Sequence, residues 1–371
     1  MRRPCPMFVP LLATALLLAG CGEGARPVPG ATVSKERTEI GGINLIGVAH
    51  IEQGDCAPPV FAVPTPEGLA DPDEEPPAPA PPAAPEPSAP PEPQPAAAPA
   101  AAQARRILVV GDSLLDGLCA LGLGERIVGR VAERAGQAPP NYLGPFITTI
   151  PQTGAVGSVA MGQVRDLRPD LVLVSSDLIG ELGADLGPIA PVLPVGPRRG
   201  PLSPSVWQQQ FQALAAVFGR EQQAQAILRD YQAFVDEQRQ DGTLDPAHTR
   251  ASLVRFDDRK IAIEGPESFA GSVLADLGVD RPPAQSSGAA QAIGKDQLGE
   301  ADGDLVYVSF GEPESFGEGV VSSPQWRRLA SVREKQVFAV CDQWWYRGAG
   351  PIAARNVVID VVGSLNTPPP P

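Results

Sequence analysis

From position 106 onward, apolar residues fall in short blocks that alternate between two periods. Ile107-Leu108-Val109-Val110 is an unbroken apolar run ended by Gly111, the pattern of a strand buried on both faces. Asp112 and Ser113 follow as capping residues for a helix from Leu114 to Leu121, which Gly122 stops. Arg126-Ile127-Val128-Gly129 reads as a second short strand, Val159–Leu167 as a weak helix and Leu171–Val174 as a third strand. Val192–Val195, with Pro194 inside it, reads as an edge strand. Strands alternating with helices predict a parallel α/β lobe.

The period then becomes helical alone. Trp207, Phe211, Leu214, Val217 and Phe218 share one face until Gly219 interrupts. Ala224, Ile227, Leu228, Tyr231, Phe234 and Val235 continue it from Arg220 to about Arg239, a helix of ~30 Å. After Gly242 the alternation returns. Leu253–Phe256, Ile261–Ile263, Leu305–Val308 and Val337–Val340 read as strands. Phe269–Leu277, Asp296–Glu300, Trp326–Leu329 and Pro351–Leu365 read as helices, the last with proline at its first turn. The predicted fold class is α/β: two lobes with parallel-rich sheets flanked by helices, joined by one long rigid helix.

The amino end follows different rules. Arg2 and Arg3 precede an apolar stretch from Phe8 to Leu18, too short for a bilayer span of about 20 residues and suited to a signal peptide. Leu18-Ala19-Gly20-Cys21 resembles a bacterial lipobox, so the mature chain is expected to start at a lipidated Cys21 on the outer face of the cell membrane. Pro64 to about Gln103 is almost wholly Pro, Ala and Glu, a composition that cannot offset the entropy of ordering. Extended at ~3.1 Å per residue it would act as a tether on the order of 100 Å long. Thr38–Cys56 is less biased and reads either as an arm that docks on the body or as more linker. The expected organisation is a signal at 1–20, a tether at 21–104, an N-terminal lobe at 105–205, a helical linker at 206–242 and a C-terminal lobe at 243–367.

Charge and rare residues narrow the function. A net charge of −14 argues against nucleic acid and against a surface lying on anionic lipid, leaving the lipid as the membrane contact. His50 and His248 are the only histidines, which leaves little material for a histidine-based metal site; no metal and no cofactor are expected. Once Cys5 leaves with the signal and Cys21 is lipidated, Cys56, Cys119 and Cys341 remain. A pair and one leftover thiol is the expectation outside the cytoplasm, and spacing does not settle which. We expect Cys56–Cys119 with Cys341 free, because a bond between Cys341 and the first-lobe helix would clamp the lobes.

Two resemblances compete over Gly111-Asp112-Ser113-Leu114. It resembles the signature of GDSL-type serine esterases, and Asp245-Pro246-Ala247-His248 supplies an Asp-x-x-His pair. Yet a second lobe follows that pair, and Val174-Ser175-Ser176-Asp177 stands where the family carries Gly-x-Asn-Asp. The whole body fits another family better. Its matching pieces run in order from Leu114–Gly122 through Leu167-Arg168-Pro169-Asp170-Leu171 and Ser268-Phe269 to Gly350-Pro351-Ile352-Ala353-Ala354-Arg355. Arg105–Leu365 resembles the substrate-binding proteins of ABC importers for ferric siderophores, ferric citrate and cobalamin.

That resemblance implies a non-enzymatic monomer holding its ligand in the cleft between lobes, where loops follow the strands. The implied ligand residues are Asp112, Ser113, Tyr142, Ser175 and Ser176 from the first lobe. Arg255, Phe310, Trp345 and Arg347 come from the second; Trp345 matches a family position, and Trp344 suits core packing equally. Arginine and aromatic groups suit an iron chelate by charge-assisted hydrogen bonds and stacking. The resemblance also implies an ABC permease as partner, docked through one acid on each lobe. Asp296 fills the second-lobe position, whereas Gly162 stands at the first-lobe one, which puts the coupling in doubt. The expected ligand is a ferric siderophore or similar chelate, with haem or cobalamin as alternatives.

Overall fold

The computed structural model describes residues 38–40, 43–45, 101–180, 182–196, 206–240 and 249–365. Cys21, Cys56, both histidines and Asp245 lie outside them. The first described elements are two three-residue strands, β1 (Thr38–Ile40) and β2 (Ile43–Leu45), paired antiparallel.

The first lobe is built on the sheet β6-β5-β4-β3-β7-β8. Its members are β3 (Ile107–Val110), β4 (Ile127–Ala132), β5 (Gln152–Ala155), β6 (Ser158–Val159), β7 (Leu171–Ser175) and β8 (Val192–Val195). All run parallel except β6, which turns back on β5. Every residue of β3 and β7 is buried, as their unbroken apolar runs require. Helices α1 (Asp112–Ala120) and α2 (Met161–Leu167) follow strands of this sheet. The weakly apolar β5 and β6 carry no strand signal in the sequence.

Two helices, α3 (Val206–Val217) and α4 (Glu221–Gln240), lead to the second lobe. Gly219, at φ +64°, ends α3 in the left-handed region where a side chain is disfavoured. The second sheet has the order β1-β2-β13-β12-β9-β10-β11. It adds β9 (Ala251–Asp257), β10 (Lys260–Glu264), β11 (Ala290–Ile293), β12 (Leu305–Phe310) and β13 (Val337–Val340), with helices α5 (Phe269–Asp276), α6 (Glu314–Val321) and α7 (Pro351–Leu365). Strands β9, β12, β13 and β2 are mutually parallel.

Of the arm left open by the sequence, the described strands β1 and β2 lie on the second lobe. Asn44 and Leu45 of β2 pair with Phe338 and Ala339 on β13, adding a hairpin to the sheet edge. The body also starts earlier than the composition implies. Ala101 and Ala104 are buried in the first-lobe core, and Arg126 donates to the carbonyls of Ala102 at 3.4 Å and Ala104 at 3.0 Å. Alanine is small enough to pack where the larger residues of a core segment are missing. Cys119 and Cys341 are both disulfide-bonded, which overturns the expectation of a free Cys341. That expectation rested on the clamp that a bond from the first-lobe helix to Cys341 would place on the two lobes.

The lobes are joined again by α7, which packs on α1 of the first lobe and on α4 and α5. Asp116 of α1 makes the junction. Its carboxylate accepts the backbone N–H groups of Ile352 at 3.1 Å and Ala353 at 2.9 Å, in the first turn of α7. It therefore caps a helix from another part of the chain, satisfying donors that have no intrahelical partner. Tyr142 donates a third hydrogen bond to it at 2.9 Å. A Cβ at Gly350 would overlap this carboxylate, so glycine before Pro351 is a steric requirement.

Burial pushes the Asp116 carboxyl up to about 6, against the three donors that lower it. Burial likewise raises Asp360 to about 6, against the Trp345 and Trp344 indoles, and Glu264 to about 7 despite Arg255. These carboxyls bind more protons when folded than when unfolded between about pH 4 and 7. Their contribution is therefore full at low pH and lost as pH rises through 6 to 7. Thermal melts should show a higher Tm at pH 5.5 than at pH 7.5, and a flat or inverted profile would contradict this assignment. Asp116→Ala leaves three donors without an acceptor and should cost about 1–3 kcal/mol in denaturant unfolding at pH 7.

Candidate functional site

Both sheets present the carboxyl ends of their parallel strands to the space between the lobes, the usual place for ligands in open α/β sheets. On the first lobe, β3 ends at Gly111, whose φ of +105° and ψ of 129° suit glycine alone. The chain enters α1 there with Asp112 as its first residue. Asp112 was expected to cap the helix, but Gly111 is the capping residue and makes no side-chain bond. The Asp112 carboxylate is drawn elsewhere. It accepts from Arg130 Nη1 at 3.1 Å, from Gln137 Nε2 at 2.7 Å and from Arg347 Nη2 at 2.6 Å.

Arg347 reaches Asp112 from the second lobe and also donates to the Ala138 carbonyl at 2.7 Å, so one guanidinium spans the cleft. A second crossing joins Arg134, after β4, to Asp257 at the end of β9, at 2.7 Å. A third runs from the Asn141 backbone N–H to Gln343 Oε1 at 2.9 Å. Tyr142 packs edge-on to Trp344 with centroids 6.1 Å apart. Burial and the Asp116 charge keep its hydroxyl protonated, with its pKa well above the ordinary tyrosine value. Glu133 stands beside Asp112; burial and that neighbouring charge raise its pKa, and a hydrogen bond from the Asp112 backbone lowers it.

Arg255 on β9 was expected to present a free guanidinium to a ligand. It is held instead by Asp342, with Nε at 2.8 Å and Nη2 at 3.0 Å from the two carboxylate oxygens, and lies 3.4 Å from Asp257. It also sits over the Tyr346 ring, 5.2 Å from the centroid. Ser309 donates to Asp342 at 2.9 Å and helps fix that carboxylate. Phe310, at the end of β12, is half-buried against Phe256, with centroids 5.4 Å apart.

The assignment of Trp345 to the cleft is corrected. It is wholly buried, its ring lies 4.9 Å from that of Tyr307, and its indole donates to Asp360 of α7 at 2.8 Å. Trp344 donates to the same carboxylate at 2.9 Å. Asp360 anchors both rings to α7, and no short-range pattern links it to them. The serines at the end of β7 serve the local fold: Ser175 accepts from Gln210 at 3.3 Å, and Ser176 donates to the Gly196 carbonyl at 2.7 Å. Ser113 is half-buried on the first turn of α1. Asp296 lies exposed on a 3₁₀ turn of the second lobe, and Gly162 is exposed in the first turn of α2.

Sequence reasoning missed Glu133, Arg134, Gln137, Asp257, Asp342 and Gln343. Four of them, Glu133, Arg134, Asp342 and Gln343, directly follow a buried strand or lie within three residues of its end, and Asp257 ends β9 itself. That signal was present, but it does not say which charges meet across the cleft.

Residues 107–343 match the profile of the periplasmic binding protein family. The Fe(3+) dicitrate-binding periplasmic protein FecB of Escherichia coli K12 is 25% identical over 209 residues, covering 56% of this chain and 68% of FecB. The Bacillus subtilis protein named probable siderophore-binding lipoprotein YfiY is 23% identical over 273 residues, covering 70% of this chain and 81% of YfiY. Among solved structures, Staphylococcus aureus SirA complexed with staphyloferrin B has a TM-score of 0.60 at 19% identity, covering 72% of this chain and 95% of SirA. Staphylococcus aureus FhuD2 with bound ferrioxamine B has a TM-score of 0.58 at 19% identity, covering 70% of this chain and 98% of FhuD2. At these identities the structures speak for the fold alone. The profile spans both sheets from β3 to the turn after β13, and the chain belongs to the periplasmic binding protein family.

Proposed function

We propose that this protein captures a ferric siderophore or similar iron chelate in the cleft between its lobes and delivers it to an ABC importer. The observation that carries the reading is the facing pair of strand-end surfaces, joined across the cleft by Arg347 and Asp112. The same two-lobed fold holds ferrioxamine B in FhuD2, and the relatives FecB and YfiY are named for ferric dicitrate and siderophore binding. Binding rather than hydrolysis also fits the position of Asp112, which is engaged by two arginines and a glutamine.

Calorimetric titration of the purified body with a panel of ferric siderophores should give saturable binding of at least one. Arg347→Ala should weaken that binding roughly tenfold, about 1.4 kcal/mol, with the circular dichroism spectrum unchanged. Equal affinity in the variant would move the site away from this crossing. Ester hydrolysis abolished by Ser113→Ala would overturn the binding-only reading.

Cys21 is proposed as the lipid anchor, on the outer face of the cell membrane. No described helix is long and apolar enough to cross a membrane. Cys21→Ala should move the protein from the membrane fraction to the soluble one; retention in the membrane would refute lipid anchoring there. Asp296 is proposed as the second-lobe contact to the permease, without a first-lobe counterpart at Gly162.

A further inference from the structure

The arginines that reach the strand ends of this cleft are already neutralised by the protein itself. Arg130 and Arg347 share Asp112, whose side chain is only 2% exposed. Arg134 and Arg255 share Asp257, and Arg255 is gripped through both carboxylate oxygens of Asp342. Glu133 adds a fourth carboxyl beside Asp112. Each of the four guanidinium groups thus already has a carboxylate partner within the protein.

An anionic ligand would have to take an arginine from one of these carboxylates and leave that acid without its partner. The loss is greatest at Asp112, where removing one member of a buried pair strands an uncompensated charge. A ligand carboxylate would also meet the remaining acids at short range, where like charges disfavour each other. An uncharged acceptor meets neither obstacle. Arg134 is half exposed and donates to Asp257 through Nη1 alone, so a carbonyl-type oxygen can accept from its remaining N–H groups without displacing a carboxylate.

Resting on the reading that the cleft holds an iron chelate, we propose that the ligand carries no net negative charge, being a neutral or cationic chelate with carbonyl-type oxygens at its surface. A polycarboxylate complex such as ferric citrate is then a poor ligand, although a relative is named for it.

The test is calorimetric titration at low ionic strength with three probes: ferrichrome (neutral), ferrioxamine B (cationic) and ferric citrate (anionic). The expected result is that at least one of the first two binds tenfold or more tighter than ferric citrate. Asp257→Asn, which releases Arg134 and Arg255 from a shared acid, should shift the preference severalfold toward ferric citrate. Should that variant fail to fold, the three-probe ranking in the native protein decides alone. Ferric citrate binding as tightly as the others, or tighter, overturns this inference and leaves the chelate-binding function standing. No binding of any probe counts against both.

Discussion

A carboxylate buried in one lobe and committed to the first turn of a helix from the other holds the two halves of this molecule in register. Asp116 belongs to α1, which opens directly from the central strand β3, while the N–H groups it accepts belong to α7. Because α7 also packs on α4 and α5, its position sets where the second sheet stands relative to the first. Other features follow from that contact. Gly350 has no side chain because the carboxylate comes too close, and Pro351 gives up an N–H that the cap does not use. Tyr142 is drawn to the same acid and so comes to pack on Trp344. The short segment before α7 then carries Arg347 to Asp112, one helical turn from Asp116.

The cost of this arrangement is carried by acids. Asp116 and Asp360 are fully buried carboxyls without an arginine bonded to them, each satisfied by neutral N–H or O–H donors. Asp112, Asp257 and Asp342, by contrast, take guanidinium partners. The first group fixes helices and aromatic rings, and the second lines the cleft. Burial outweighs those donors at both Asp116 and Asp360 and raises each carboxyl to about 6, so these two scaffold acids take up protons well above the ordinary carboxylate range.

Much of this was legible in the chain. Continuous apolar runs marked β3, β7, β12 and β13, since a strand covered on both faces has few polar positions to confuse its period. Proline after glycine marked the start of α7. What escaped were elements whose reason lies far away in sequence. β1 and β2 are three residues each and acquire meaning only beside β13. Trp345 and Arg255 were legible as residue types suited to a cleft, but their partners Asp360 and Asp342 decide their roles. Burial separates such cases: a tryptophan in a binding motif and a tryptophan in a core look alike until the acid that receives its N–H is located.

The pairing of β2 with β13 also decides which strand forms the edge of the second sheet. Without the hairpin that edge would be β13, whose outer N–H and C=O groups would stand open to another chain. With it the edge is β1, only three residues long, and so short a strand gives a second chain little to pair with.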